Sequence, residues 1–310
     1  MATQIQHYDQ NDPSTVLSLS QKATSMLSKS SLKPKSKVAA VVSAIEEPTE
    51  WAELEQIFLA CLRSGDDEKA HLCLERLTNR FGAENHRVMA LRGLYQEAEA
   101  ENEEDLRRVL QGYNKLVKDD PMNVPIHKRR TALIRALGKP SDALECLVQF
   151  LGTFPSDAEA WCELSDLYQM QGMYGQAIYC LEESLLIAPN SWNLHARLGE
   201  LNYIASQSGQ EGVAANEKYL AEALRRLARS VELCEDYLRG YYGLKLVTGK
   251  LLGFPSSKGS ETISAEVVKQ YDELATMKLK QIIKHNLASA VGSQQAQVIA
   301  AQALLDQSQT

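Results

Sequence analysis

Apolar and small residues recur at helical spacing through the middle of this chain, most fully between Trp161 and Pro189. The order Trp161-x2-Leu164-Ser165-x2-Tyr168 places its members at i, i+3, i+4 and i+7, one face of a helix. Ala177-x3-Leu181-x2-Ser184, at i, i+4 and i+7, does the same for a second helix. Between them, Gly172 in Gln171-Gly172-Met173-Tyr174 can take the positive φ that ends a helix. Pro189 has no N–H to continue the second helix and marks its exit. Ser165 and Ala177 are small enough for two backbones to approach, while Trp161, Tyr168 and Leu181 fill the space beside them. The stretch predicts an antiparallel helix pair.

Every spacing matches the tetratricopeptide (TPR) pattern W-x2-L-G-x2-Y…A-x3-F…P, with Ser for Gly, Leu for Phe and Ser for a further Ala. The pattern repeats. Moving back 34 residues carries Ala177, Leu181 and Pro189 onto Ala143, Leu147 and Pro155, and 34 more carries Pro155 onto Pro121. A first unit begins at Trp51-x2-Leu54-x3-Phe58 and continues with Ala70-x3-Leu74-x2-Leu77. Its Gly65-Asp66-Asp67 turn reads as three residues longer than the consensus. The second starts near His86, with Arg92-Gly93 and Gln96, then Val109, Tyr113 and Leu116; four extra residues are expected in the acidic turn Glu101–Asp105. The third runs from Ile126 to Pro155, and Trp161 opens the fourth. The fifth carries Leu198-Gly199, an insertion of about twelve residues (Ser206 to Glu217), and Ala223-x3-Leu227-x2-Ser230. A last pair starts at Tyr237, with Tyr242-Gly243 read into the Leu-Gly positions.

No such pair buries its apolar face alone, so the pairs must stack. The expected fold is all-α: a right-handed α-solenoid of TPR helix pairs with terminal capping helices. Residues 1–37 form a Ser/Lys-rich arm, part helical and part disordered, and 38–253 the solenoid, opening with a short apolar helix Val38–Ile45 between Pro34 and Pro48. Residues 254–263 are a linker, 264–290 a capping helix with Val267, Tyr271, Leu274 and Lys278 on one face, and 291–310 a flexible Gln-rich tail.

Composition narrows the function classes. Hydrophobic content of 44% and charged content of 24% are those of a soluble globular protein. The net charge of −7 disfavours nucleic acid as the main partner. Residues 1–45 hold five Lys against two Asp, +3, leaving −10 for the remainder. The six cysteines include no C-x-x-C pair, all but Cys234 fall within predicted helices, and no Asn-x-Ser/Thr acceptor occurs; a reducing, non-secretory compartment is expected. No apolar core follows Met1, and the first 37 residues lack the Arg of a mitochondrial presequence. No apolar stretch approaches the ~20 residues that cross a bilayer.

Candidate chemistry is absent from the pattern. His7, His71, His86, His127, His195 and His285 form no H-E-x-x-H and no i, i+4 pair, and His71 and Cys73 diverge on a helix. Gly243 to Leu251 fails as a phosphate loop: its first Gly is one residue early and Leu251 stands where Ser/Thr would hold Mg²⁺. No nucleophile elbow or dinucleotide fingerprint occurs. No catalytic residue, cofactor or metal is therefore expected, and the chain reads as a non-enzyme.

A binding surface can be assigned. In a TPR array the concave wall comes from the first helices, at residues between the packing positions. Here these are Lys128, Ala132 and Arg135; Glu159, Cys162, Asp166 and Gln169; and Asn193, Ala196, Glu200 and Tyr203. Capture of a peptide C-terminus needs converging Lys and Asn donors. Asp166 and Glu200 oppose that, and Asn193 alone is a poor substitute. The mixed charge suits a folded surface or a helix.

Other residues narrow the relationship. Trp51…Glu55-Gln56…Leu72-Cys73-Leu74-Glu75-Arg76-Leu77, Arg80-Phe81, His86-Arg87-Val88, Asp120-Pro121-x-Asn123, Lys128-Arg129 and Ala143…Glu145 stand in collinear order. Glu159-Ala160-Trp161-x-Glu163-Leu164 and Tyr179-Cys180-Leu181-Glu182-Glu183 follow. Over roughly residues 50–250 this resembles subunit 2 of the ER membrane protein complex. The N-terminus, the Ser206–Glu217 insertion and the stretch past Phe254 depart from the animal members, as in a fungal or otherwise divergent version. The resemblance implies a non-catalytic TPR scaffold on the cytosolic face of the ER membrane, peripheral through its partners. Those partners would be cytosolic ends of membrane subunits and a second soluble subunit of an insertase for tail-anchored and multipass proteins. No nucleic acid and no direct membrane span are implied. The alternative is a soluble TPR co-chaperone adaptor binding peptide segments.

Overall fold

The computed structural model describes residues 13–30, 48–208, 213–253, 263–286 and 293–307. Every regular element among them is a helix, fourteen in chain order. They are α1 (Pro13–Ser30), α2 (Pro48–Ser64), α3 (Asp67–Phe81), α4 (His86–Glu99), α5 (Glu103–Asp119), α6 (Val124–Ala136) and α7 (Pro140–Thr153). The rest are α8 (Ala158–Met170), α9 (Tyr174–Ile187), α10 (Trp192–Gln207), α11 (Val213–Leu233), α12 (Leu238–Gly253), α13 (Ala265–Asn286) and α14 (Ser293–Gln307). The backbone divides into two compact units, Met1–Ala143 and Leu144–Thr310, the break falling in the first turn of α7.

Two kinds of turn recur, although the α4/α5 turn has Ala100 at φ −66° in place of a glycine and the turn at 82–85 opens on Gly82 at φ 88°. Within pairs, Gly65, Gly138 and Gly172 take φ of 72, 71 and 75°, a left-handed conformation that disfavours any residue with a Cβ. The following amides reach back over the helix end: Asp66 N–H donates to Cys61 O at 2.9 Å, Lys139 N–H to Ile134 O at 3.2 Å and Met173 N–H to Tyr168 O at 2.9 Å. Between pairs, Phe154 N–H donates to Phe150 O at 2.8 Å and Asp157 N–H to Phe154 O at 3.2 Å. The same two bonds recur at 82–85, 120–123, 188–191 and 234–237. Pro121, Pro155 and Pro189 occupy the second position of this turn, so the three are structurally equivalent; Ala83 and Glu235 take their place elsewhere.

In the first unit α1 packs on α2 and α3, α3 on α4, and α6 on both α4 and α5. Its cores form around Leu54, Ile57, Phe58, Cys61 and Leu74, and around Tyr113, Ile126 and Leu133. In the second unit α8/α9, α10/α11 and α12/α13 pack as pairs, α10 also touches α9 and α12, and α14 lies on α13 and α12. Leu227, with no exposed surface, lies in the larger of its cores with Leu224, Leu244, Leu279 and Ala301. This is an all-α TPR solenoid arrangement, first helix on second and second on the next first.

Several sequence expectations shift. The Gly65 turn is no longer than the Gly172 turn; the three extra residues lengthen α2, so Leu54, Ile57 and Cys61 stand where Trp161, Leu164 and Tyr168 do. The four extra residues of the second unit lie in α4 and α5 rather than in a loop, and Glu103, Glu104 and Asp105 form the first turn of α5, where carboxylates meet the positive end of the helix dipole. The insertion after Ser206 is largely helical, ending α10 and opening α11, with 209–212 outside the described residues. In α12 the consensus positions belong to Tyr241, Leu244 and Lys245, not Tyr242-Gly243, because Gly243 faces Leu227 of the preceding pair. α13 is the second helix of a sixth pair, and it buries Val268, Ala275, Leu279 and Ile282 rather than Val267 and Lys278. The tail is helical over 293–307, since Val298, Ala301 and Leu305 at i, i+3 and i+7 find an apolar surface to cover. Val38–Ile45 and most of the 254–263 linker lie outside the described residues.

Candidate functional site: the wall of first helices

The first helices carry the candidate surface, and local chemistry sets their start. Asn123 Oδ1 accepts Ile126 N–H at 3.2 Å, Asp157 Oδ1 accepts Ala160 N–H at 2.9 Å, and Asn85 Oδ1 accepts Arg87 N–H at 3.0 Å. Six residues beyond each proline, a ring N–H returns to the proline carbonyl. His127 Nε2 reaches Pro121 O at 3.0 Å, Trp161 Nε1 reaches Pro155 O at 2.8 Å and His195 Nε2 reaches Pro189 O at 2.9 Å. A carbonyl only accepts, so both histidines carry a proton on Nε2. Burial lowers the pKa of His127 and favours its neutral form.

Within each unit, charge is paired from one first helix to the next. Glu55 of α2 meets Arg87 of α4 at 2.8 Å. Glu97 of α4 accepts from both Arg129 of α6 and the Tyr113 hydroxyl, the latter at 2.6 Å. Asp166 of α8 accepts from Arg197 of α10. Glu200 of α10 takes a two-pronged bond from Arg239 of α12, at 2.5 and 2.6 Å. Arg239 is held above the usual guanidinium range, first by its bond to Glu200.

The eight proposed contact residues are unequally placed. Arg135, Glu159 and Asn193 are exposed; Lys128, Gln169 and Tyr203 are half-buried. Asp166 and Glu200 are also half-buried, but each is neutralised by its arginine, which removes much of the repulsion expected against a carboxylate. Of the neighbours assigned to the wall, Ala132 and Cys162 keep partial exposure, whereas Ala196 has none and belongs to the core between α10 and α11. The arginine partners escaped the sequence reading. Arg129 and Arg197 were findable, since both lie six residues past an N-terminal cap, two repeats apart.

Burial is the first cause that raises the Cys61 and Cys162 thiols and pushes Cys73 and Cys180 up to about 12. These thiols stay protonated and weakly nucleophilic at neutral pH. Among the described residues no three His, Cys, Asp or Glu groups cluster as metal ligands, and no helix is long and apolar enough to cross a membrane.

Stacked helix pairs with a charge-paired first-helix wall define a TPR repeat protein. The model for the "EMC2 TPR-like repeat domain" matches residues 70–210. The chain is 36% identical over 202 residues to the TPR repeat protein oca3 of Schizosaccharomyces pombe, covering 65% of this chain and 67% of that one. It is 33% identical over 234 residues to ER membrane protein complex subunit 2-A of Xenopus laevis, covering 76% and 72%. Subunit 2 from Saccharomyces cerevisiae is 27% identical over 216 residues, covering 67% and 73%. The chain belongs to the ER membrane protein complex subunit 2 family, as its collinear residues predicted. A solved structure, the C-terminal part of a TPR repeat-containing protein from Cytophaga hutchinsonii, shares the fold at a TM-score of 0.50 and 11% identity, over 94% of this chain and 99% of that one.

Proposed function

We propose that this chain is a non-catalytic scaffold subunit of an ER membrane protein complex. It gathers cytosolic ends of membrane subunits and a second soluble subunit of an insertase for tail-anchored and multipass proteins. The reading rests on family membership across most of the solenoid. The wall of first helices supplies the contact surface, with Lys128, Arg135, Glu159, Asp166, Gln169, Asn193, Glu200 and Tyr203 meeting partners. The chain sits on the cytosolic face of the membrane and is held there by those partners. Paired charges suit this task, because a neutral wall accepts a folded surface without burying a lone charge. Affinity purification from detergent-solubilised ER membranes tests it: the chain should co-elute with membrane subunits, and a strictly monomeric cytosolic protein would overturn it.

The pairing of Asp166 and Glu200 also favours a second reading, a soluble adaptor for peptide segments. Fluorescence anisotropy with a peptide ending in acidic residues separates the two. Saturable binding that is lost when the C-terminus is amidated supports the adaptor; no binding removes it.

A further inference from the structure

The seam between paired helices is sealed in α8/α9 and α10/α11, yet open in α4/α5. Counted from the N-terminal cap, Arg92 stands where the third repeat places Arg130 and the later ones Leu164, Leu198 and Leu244, which are 3%, 0% and 0% exposed. On the second helix Val109, Gly112 and Leu116 correspond to Ala177, Cys180 and Ser184, all buried. Here Val109 and Leu116 are half-buried and Gly112 is exposed, and a Cβ built on Gly112 would meet nothing within 4 Å. The result is a slot of about 540 Å³ lined by Met89, Arg92, Gly93, Val109, Tyr113 and Leu116. That volume lies within the ~300–1,000 Å³ of ordinary ligand sites.

The charges around the slot are unevenly satisfied. On the rim, Asp105 is held by Arg108 at 3.0 Å, while Glu99 is exposed to water. Arg92 is half-buried and has no hydrogen bond or ion pair among the described residues. A cation withdrawn from water without a counter-charge is costly, and a carboxylate supplied from outside relieves that cost through paired N–H···O bonds. We propose that the α4/α5 slot receives an acidic side chain, flanked by aliphatic residues, from a partner protein. The carboxylate meets the Arg92 guanidinium, and the aliphatic groups cover Met89, Val109 and Leu116. The proposal leans on the scaffold reading only in assigning the acid to a partner, and its test does not involve membranes.

The test uses the full chain with ¹³C-labelled Met, Val and Leu methyls, titrated with 4-methylpentanoate, its neutral amide or inorganic phosphate. Methyl signals of Met89, Val109 and Leu116 should shift saturably with the carboxylate. Loss of the charge-assisted bonds should make the amide roughly tenfold weaker. Arg92→Leu installs the residue that the fourth, fifth and sixth repeats carry there, so it should fold and lose the response; Gly112→Leu should block the slot from the other helix. Equal response to acid and amide, an undiminished response in both variants, or no response would overturn the proposal. So would phosphate acting as well as the carboxylate, which would make the slot a general anion site.

Discussion

Gly93 of α4 lies directly against the Tyr113 side chain of α5. A Cβ there would lie 2.2–2.7 Å from the Tyr113 ring, so the ring and not an empty gap dictates the glycine. Gly93→Ala should destabilise the chain by roughly 1–3 kcal/mol, the usual cost of overpacking, read as a lower urea midpoint with unchanged slope. Adding Tyr113→Leu, the residue class at Leu181, should recover part of that loss. His127 makes a second residue-scale case. Its folded pKa lies below the 6.5 of an unperturbed imidazole. The unfolded chain therefore binds a proton first, and stability that is complete above pH 6.5 is lost as pH falls through the folded value. His127→Gln should flatten that part of the profile of melting temperature against pH, and an unchanged profile would refute the assignment.

At the scale of helices and turns, much was legible because spacing alone carries it. Three prolines at one period mark one turn, and Gly172 with its counterparts Gly65 and Gly138 marks the other. What spacing could not decide was register. Trp51 mimics Trp161 in type, yet Gly65 fixes Leu54 as its counterpart; Tyr242-Gly243 mimics Leu-Gly, yet Gly243 serves the preceding pair. The arginines that neutralise Asp166 and Glu200 come from the next first helix, Arg197 of α10 and Arg239 of α12, which a pattern within one repeat cannot register. The last pair shows what replaces a short turn. Lys245 takes the position of Ser165 and Gly199 and reaches Asp272 of α13 at 2.8 and 2.9 Å, with Thr248 donating to the same carboxylate at 2.7 Å. The Lys245 side chain is only 10% exposed. Lys245→Met should therefore cost about 3 kcal/mol by stranding Asp272, and Lys245→Met with Asp272→Leu should regain most of it in a denaturant titration. Equal stability of the single and double variants would mean that the pair does not couple α12 to α13.

At the scale of the whole molecule, a stack in which each helix meets only its neighbours spreads stability locally. Leu227 is the sharpest probe of this. It has no exposed surface, and it fills the space left by Gly199 in its own pair and by Gly243 in the next. Leu227→Ala removes the plug from both seams at once and should cost roughly 3–5 kcal/mol, the range for a core Leu→Ala that leaves a cavity. Because the chain forms two compact units, that loss should stay within residues 144–310. Hydrogen exchange followed by mass spectrometry should show faster exchange in α10, α11 and α12 while α2, α3 and α4 keep their protection. If protection falls alike in both units, the chain unfolds as a single cooperative block, and binding to one unit would then be felt throughout the other. If it falls only locally, partners can be gripped by one unit without reorganising the other, as the proposed scaffold role requires.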